Sequence, residues 1–155
     1  MKRIVSLSLA ASLFVLPACK GGANAEAVKL VPDEADAAAA IDLLQAWLQG
    51  RVRVLQPPHG QAEVCAVLAR LRPAQIADDL ADLLDLALPV RDDAAVYARA
   101  MQLSRDLGHH LFDTLYHAVA LETDDALLVT ADERYLAQAA GAGRVRHLRD
   151  WQASR

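Results

Sequence analysis

The sequence is poor in cysteine, in aromatic residues and in excess charge, and these shortages exclude several classes of protein. Its two cysteines, Cys19 and Cys65, lie in an N-terminal segment and in a helical pattern, so no disulfide framework is implied. The net charge of −4 argues against binding of nucleic acid by bulk electrostatics, although a local basic strip can still bind it. The apolar run near the N-terminus, at roughly 15 residues, is shorter than the about 20 that a membrane-spanning helix needs.

What the sequence has in quantity is alanine and leucine. Of its 155 residues, 54% are hydrophobic and only 5% are aromatic. This length allows one domain with a substantial core and is too short for two ordinary domains. The alanine and leucine content favours helices. The sequence shows no internal repeat and no low-complexity tail.

The N-terminal segment has the layout of a secretory signal. Two basic residues precede an apolar stretch from Ile4 to Leu16, and a Leu-Pro-Ala-Cys sequence ending at Cys19 leads into a glycine-rich spacer. This ending resembles a bacterial lipobox, in which Cys19 is lipidated and anchors an exported protein to a membrane. The alternative interpretation is that residues 3–7 form the buried first strand of the domain, followed by a loop.

Beyond this segment, the pattern predicts strands alternating with helices, so the chain divides into a signal-like part at 1–26 and a domain at 27–152. Proline, glycine and acidic residues mark the boundaries of six predicted helices. The predicted strands lie at 51–55, 126–130 and 144–148, with a short extended piece at 89–90. The predicted helices lie at 32–50, 62–71, 74–88, 92–108, 112–122 and from 132 onward. This alternation implies βαβ connections and an α/β fold with a mainly parallel sheet.

Three carboxylates fall where such a sheet collects functional groups. Asp132 closely follows the predicted strand at 126–130, Asp113 opens the preceding helix, and Glu63 lies one turn into the helix after the strand at 51–55. In open parallel sheets, functional groups gather in the crevice at the carboxyl ends of the strands. Clustered carboxylates repel one another, and Mg²⁺ or Mn²⁺ relieves that repulsion and can activate a water for attack on a phosphodiester.

The stretch FDTLYHAVALETDDALLVTADERYL, at 112–136, resembles the PIN domain family and, within it, the VapC-type toxins of bacterial toxin–antitoxin pairs. The similarity consists of a helix-opening Asp with a Leu-x-x-Ala-x-Ala face, a strand, and then Thr-x-Asp. The stretch PPHGQAEVCAVLARL resembles the helix that carries the family's Glu, and KLVPDE resembles the loop into its first helix. The resemblance runs from about Ala27 to Trp151.

This resemblance implies a three-layer α/β/α fold and an endoribonuclease dependent on Mg²⁺ (or Mn²⁺) that hydrolyses single-stranded RNA or tRNA. By the same resemblance, Glu63, Asp113 and Asp132 are metal-site acids. Thr130 would orient Asp132 or the attacking water. The resemblance further implies a cytoplasmic homodimer that a cognate antitoxin protein holds in check.

The sequence departs from the family at the first metal-binding Asp. The family has a strand ending in a pattern such as Val-Asp-x-Ser shortly before the KLVPDE-like loop, but here the sequence reads GGANAEAVKLV. Gly22 stands at the position of the Asp, and Asn24 and Glu26 are the nearby residues that can ligate a metal. The segment 1–26 therefore replaces the family's first strand, and weakened activity is expected. The alternative functions are an inactive PIN-like binding module for an antitoxin or dimer partner, and a membrane-anchored lipoprotein.

Each acid of the predicted site also has a structural interpretation. Asp113 and Asp132 can be helix N-caps, since Asp is a favoured capping residue. Glu63 can be a solvated helix residue. His109 and His110 are expected in a loop or capping role, because no further ligand stands at the spacing of a zinc site.

Two further groups of residues have alternative roles. The basic strip formed by Arg144, Arg146 and Arg149 either contacts phosphates or belongs to a solvated edge strand. Three residues of the fourth predicted helix are expected in the core or at a dimer contact: Tyr97, Met101 and Leu103.

Overall fold

The protein contains a four-stranded, entirely parallel sheet. The computed structural model describes residues 3–7, 36–71 and 73–151, the first range by its backbone. In spatial order, β2 (Val52–Leu55) is followed by β1 (Arg3–Leu7), β3 (Ala126–Thr130) and β4 (Val145–His147). The predicted α/β class with a parallel sheet is therefore confirmed.

In the described part of the chain, six helices connect and cover these strands. They are α1 (Ala37–Leu48), α2 (Gly60–Leu71), α3 (Ile76–Asp85), α4 (Ala94–Leu107), α5 (Leu111–Leu121) and α6 (Glu133–Ala139). Short 3-10 turns lie at Pro73–Gln75, Ala140–Ala142 and Leu148–Asp150. Among the described helices, none is both long enough and apolar enough to cross a membrane.

The third helix is shorter than its sequence pattern predicts. It ends at Asp85 rather than at residue 88, and Ala87 has a positive φ of 44°. Pro89 disfavours helical geometry at Leu88, and the left-handed conformation of Ala87 ends the helix before that residue. The predicted extended piece is present as an isolated parallel bridge between Gln56 and Val90.

Strand β1 lies in the middle of the sheet. Ile4 pairs with Arg53 of β2 on one side and with Ala126 of β3 on the other. This is the pairing that the first-strand interpretation of residues 3–7 expects. Part of the segment 1–26 therefore supplies a strand of the domain's sheet, rather than only replacing the family's first strand. The remainder of the signal-like segment, including Cys19 and Gly22, lies outside the described residues, so its lipobox interpretation remains a prediction.

Both faces of the sheet are covered, as strand β3 shows. Its side chains alternate between the faces, as in any strand. Leu128 packs with Tyr116 of α5, whereas Val129 packs with Leu43 of α1 and with Trp151. Helix α5 is buried along most of its length because α4 covers its other side. The result is the three-layer arrangement that a parallel sheet requires.

Two of the three arginines of the predicted basic strip have structural partners, whereas Arg146 is exposed. The guanidinium of Arg144 donates hydrogen bonds to three carbonyl oxygens at the end of α5, those of Ala120, Leu121 and Thr123. Arg149 pairs with Asp36 and Glu133. Strand β4 lies at the edge of the sheet, as the edge-strand interpretation of this strip expects. Contact of the strip with phosphates stays a prediction. On α4, Leu103 is buried, whereas Tyr97 and Met101 are exposed.

Candidate active site

The three predicted acids all lie towards the carboxyl edge of the sheet. Glu63 is in the first turn of α2, which follows β2, and Asp132 begins α6, which follows β3. Asp113 is in the first turn of α5, which precedes β3. Because α5 leads back to the start of a parallel strand, its first turn lies at the edge where that strand ends.

Glu63 is held by one hydrogen bond and lies beside a histidine. Its Oε2 accepts a 2.7 Å hydrogen bond from the hydroxyl of Tyr116, and its Oε1 lies 3.6 Å from Nε2 of His59. The Glu63 side chain is 29% exposed. It is therefore fixed against α5, unlike a freely solvated helix residue. It is also still accessible from solvent.

The two partners of Glu63 are kept in their neutral forms. Burial raises the pKa of Tyr116, and the hydrogen bond to Glu63 adds to the rise, so the phenol stays protonated and donates. Burial lowers the pKa of His59, although the charges of Glu63 and Asp113 oppose that effect. A neutral imidazole and a neutral phenol leave the negative charge of the carboxylate uncompensated.

Asp113 lies in the first turn of α5 but does not cap it. The N-cap is His110, whose Nδ1 accepts a 3.4 Å hydrogen bond from the backbone N–H of Phe112. The N-cap interpretation of Asp113 is therefore wrong, and the capping role expected for the His109–His110 pair is confirmed for His110. Oδ2 of Asp113 lies 3.2 Å from Nε2 of His109. The positive end of the helix dipole favours a carboxylate here.

Asp132 is the N-cap of α6, as its structural interpretation predicts. Its Oδ1 accepts a 2.9 Å hydrogen bond from the backbone N–H of Tyr135. The backbone N–H of Asp132 in turn donates to Oγ1 of Thr130 at 3.0 Å. Thr130 is buried, so it fixes the position from which the Asp132 side chain extends. The second oxygen of Asp132, Oδ2, remains the one that can face a cation.

Tyr135 connects this region to the core through a buried histidine. Nε2 of His117 lies 2.7 Å from the carbonyl oxygen of Gly143, which can only accept, so this nitrogen carries the proton. Nδ1 of His117 therefore accepts from the hydroxyl of Tyr135 at 3.0 Å. Burial lowers the pKa of His117 and raises that of Tyr135. Both groups are neutral and hold α5 against α6.

Asp113 shares a tyrosine neighbour with each of the other two acids. The charges of Glu63 and Asp113 both act, after burial, to raise the pKa of Tyr116. The charges of Asp113 and Asp132 both act in the same way on Tyr135. Direct contacts give the same order. Tyr116, one turn after Asp113 on α5, donates to Glu63. On the other side, His109 lies 3.2 Å from Asp113 and packs against Tyr135, whose backbone N–H donates to Asp132.

These donors suit a hard divalent cation in kind, because all three offer carboxylate oxygens. Within the described ranges, no group of three or more His, Cys, Asp or Glu side chains converges as a metal-holding cluster. Mg²⁺ does not require such a cluster, since it commonly binds one or two carboxylates and keeps several waters or substrate oxygens. The donor set therefore fits a cation held by few protein ligands, with Asp113 central.

Strand β1 brings no acid to this edge. It ends at Leu7 between β2 and β3, so its carboxyl end lies at the centre of the edge. The first acidic residue of the whole sequence is Glu26. The carboxylate that the PIN pattern places at the end of the first strand is therefore missing from the end of β1.

The sequence pattern did not single out His59, Tyr116 or Tyr135. For the histidine, the sequence did hold a signal: His59 stands four residues before Glu63, as His109 stands four residues before Asp113. That spacing places imidazole and carboxylate on the same helical face or turn. The tyrosines carry no such signal, since their contacts depend on how α5, α2 and α6 pack.

The PIN domain family model matches residues 26–142, which include Glu63, Asp113 and Asp132. The chain belongs to the PIN domain family. No curated protein matches its sequence. PIN domains are generally metal-dependent nucleases that commonly bind RNA and antitoxins, so the protein has a nuclease-type fold.

Proposed function

We propose that the protein is an endoribonuclease of the VapC toxin type, dependent on Mg²⁺ or Mn²⁺, that hydrolyses single-stranded RNA or tRNA. One observation carries the proposal: side-chain contacts link the three acids at the carboxyl edge of the sheet. Tyr116 of α5 donates to Glu63, and His109 lies beside both Asp113 and the ring of Tyr135, whose backbone N–H donates to Asp132. An edge of carboxylates with neutral partners is suited to a divalent cation and to chemistry on a phosphodiester.

In this proposal Asp113 and Asp132 hold the cation, and Glu63 completes the site or positions the attacking water. The bound cation supplies charge neutralisation and a more acidic water. Tyr116 keeps Glu63 in place through its 2.7 Å hydrogen bond. Thr130 keeps the backbone of Asp132 in place through its 3.0 Å hydrogen bond.

The missing acid on β1 sets the expected level of activity. A site that lacks one carboxylate binds its cation more weakly and positions the nucleophile less well. Misplacement of a reacting group alone can cost on the order of 10²-fold in rate. We therefore expect slow cleavage of single-stranded RNA.

The test is cleavage of a labelled single-stranded RNA by the full chain, with Mg²⁺ or Mn²⁺ and with chelator. Cleavage should require the metal and should be lost in Asp132→Asn. The matched control is Asp106→Asn, which alters an exposed acid near the end of α4. Cleavage that persists in chelator, or that Asp132→Asn and Asp106→Asn reduce equally, would refute the proposal.

A second candidate function is a catalytically inactive PIN-like binding module that sequesters an antitoxin or a dimer partner. The absence of an acid before Glu26 favours it. Calorimetric titration with Mn²⁺ separates the two candidates, since only the nuclease requires the cation. As a nuclease toxin, the protein would act as a cytoplasmic homodimer controlled by a cognate antitoxin. Lipidation of Cys19 would instead place it at a membrane.

A further inference from the structure

An exposed aromatic ring adjoins the candidate active site. Phe112 directly precedes Asp113 in the first turn of α5, and it is 50% exposed. The other large exposed apolar side chains belong to other elements, mostly α3 and α4. Among the exposed apolar groups of the described residues, Phe112 is thus the one next to a site acid.

The Phe112 ring is held in place from two sides. Its centroid lies 4.9 Å from that of His59 and 5.1 Å from that of His110, with interplanar angles of 43° and 38°. His59 is itself fixed by an edge contact with Tyr116, at 5.1 Å. Neighbouring rings at these separations make favourable aromatic contacts. The exposed part of Phe112 is therefore a preorganised apolar surface.

An acidic protein that acts on RNA needs a source of affinity for the RNA other than bulk positive charge. The chain carries a net charge of −4, and the guanidinium groups of Arg144 and Arg149 are engaged within the fold. Stacking of a base on an aromatic ring provides affinity without charge, and every base has a suitable face. Phe112 offers such a ring in the same helical turn as Asp113.

We propose that Phe112 is a stacking platform for a base of the single-stranded RNA, next to the phosphate that Asp113 and Asp132 face. This inference rests on the proposed ribonuclease function and adds a residue that positions a base beside the cleaved phosphate.

The test is the affinity of a fluorescent single-stranded RNA for the full chain, measured by anisotropy in chelator so that metal-dependent cleavage does not occur. Phe112→Ala should weaken binding by about 30-fold, the middle of the range for loss of one base stack. Phe112→Tyr should bind like the wild type. The matched control is Met101→Ala, which removes an apolar side chain that is 64% exposed on α4 and should leave affinity unchanged.

A second substrate makes the test specific for stacking. An RNA with an abasic nucleotide at the stacked position should bind the wild type as weakly as intact RNA binds Phe112→Ala, and combining both changes should add little. Equal affinities of wild type, Phe112→Ala and Phe112→Tyr for intact RNA would overturn the inference alone. A wild type that binds no RNA would overturn the proposed function as well. A variant with unchanged RNA affinity but an altered oligomeric state would show that Phe112 is a protein contact instead.

Discussion

The hydroxyl of Tyr116 donates a 2.7 Å hydrogen bond to Oε2 of Glu63, which joins α5 to α2 across the candidate active site. Tyr116 is fully buried in the packing between α5 and the sheet. The core of the protein therefore fixes the orientation of a site carboxylate. Any change to that contact should alter both stability and metal binding.

Tyr116→Phe should lower the free energy of unfolding by about 1 kcal/mol, the usual contribution of one hydrogen bond. It should also weaken Mn²⁺ binding by about tenfold or more, because residues that orient metal ligands contribute that much to affinity. Urea unfolding and calorimetric titration measure the two effects. Tyr97→Phe, at an exposed position on α4, is the control. If both variants bind Mn²⁺ like the wild type, Glu63 does not contribute to the metal site.

Asp113→Asn should lower the affinity for Mg²⁺ or Mn²⁺, because the middle acid of the edge loses its charge while its shape is kept. The fold should be retained or slightly stabilised, since repulsion between Asp113 and its acidic neighbours is relieved. Calorimetric titration checks the affinity, and Asp106→Asn controls for the loss of a negative charge elsewhere. Equal metal binding by the wild type and Asp113→Asn would remove Asp113 from the site.

Thr130→Val should reduce metal affinity or RNA cleavage, because Oγ1 no longer accepts the hydrogen bond from the backbone N–H of Asp132. Valine keeps the shape of threonine, so the fold should persist at a cost of about 1–3 kcal/mol for the unpaired group. Thr130→Ser keeps the hydroxyl and should restore most of the lost function. A serine variant as impaired as the valine variant would show that packing, not the hydrogen bond, explains the effect.

His117 should make the protein less stable in mild acid. Burial lowers the pKa of His117 in the fold, so below its ordinary value of 6.5 the unfolded chain takes up the proton first. The free energy of unfolding therefore decreases as pH falls from about 7.5 towards the lowered pKa. His117→Gln should be less stable than the wild type at pH 7.5 and should lose less stability on acidification. An equal loss in both proteins, measured by urea unfolding at several pH values, would exclude this contribution.

The helices and strands around the site, and the order of its acids along the chain, could be predicted because the sequence patterns that indicate them are local. The cap and apolar face of α5, the short run of β3 and the capping Asp132 lie within one continuous stretch of the sequence. The contact between Tyr116 and Glu63 could not be predicted, because it joins residues that are distant in the chain. It depends on how α5 and α2 pack.

The N-terminal segment was ambiguous for a physical reason. A central strand of a parallel sheet is buried on both faces, so its sequence is a short apolar run without alternation. The apolar part of a secretory signal has the same composition. Only the pairing of residues 3–7 with β2 and β3 identifies the strand, and pairing with distant residues leaves no trace in the segment itself.

The central position of β1 also governs the order in which the molecule can assemble. β1 precedes both of its partners in the chain, and it pairs with residues 52–55 and 126–130. Helices α4 and α5 are neighbours in sequence and can pack early, but the sheet cannot close until β3 has been synthesised. Such distant pairings slow folding. During that delay β1 presents an unpaired edge to other chains, so the nascent protein is most prone to aggregation just before β3 arrives.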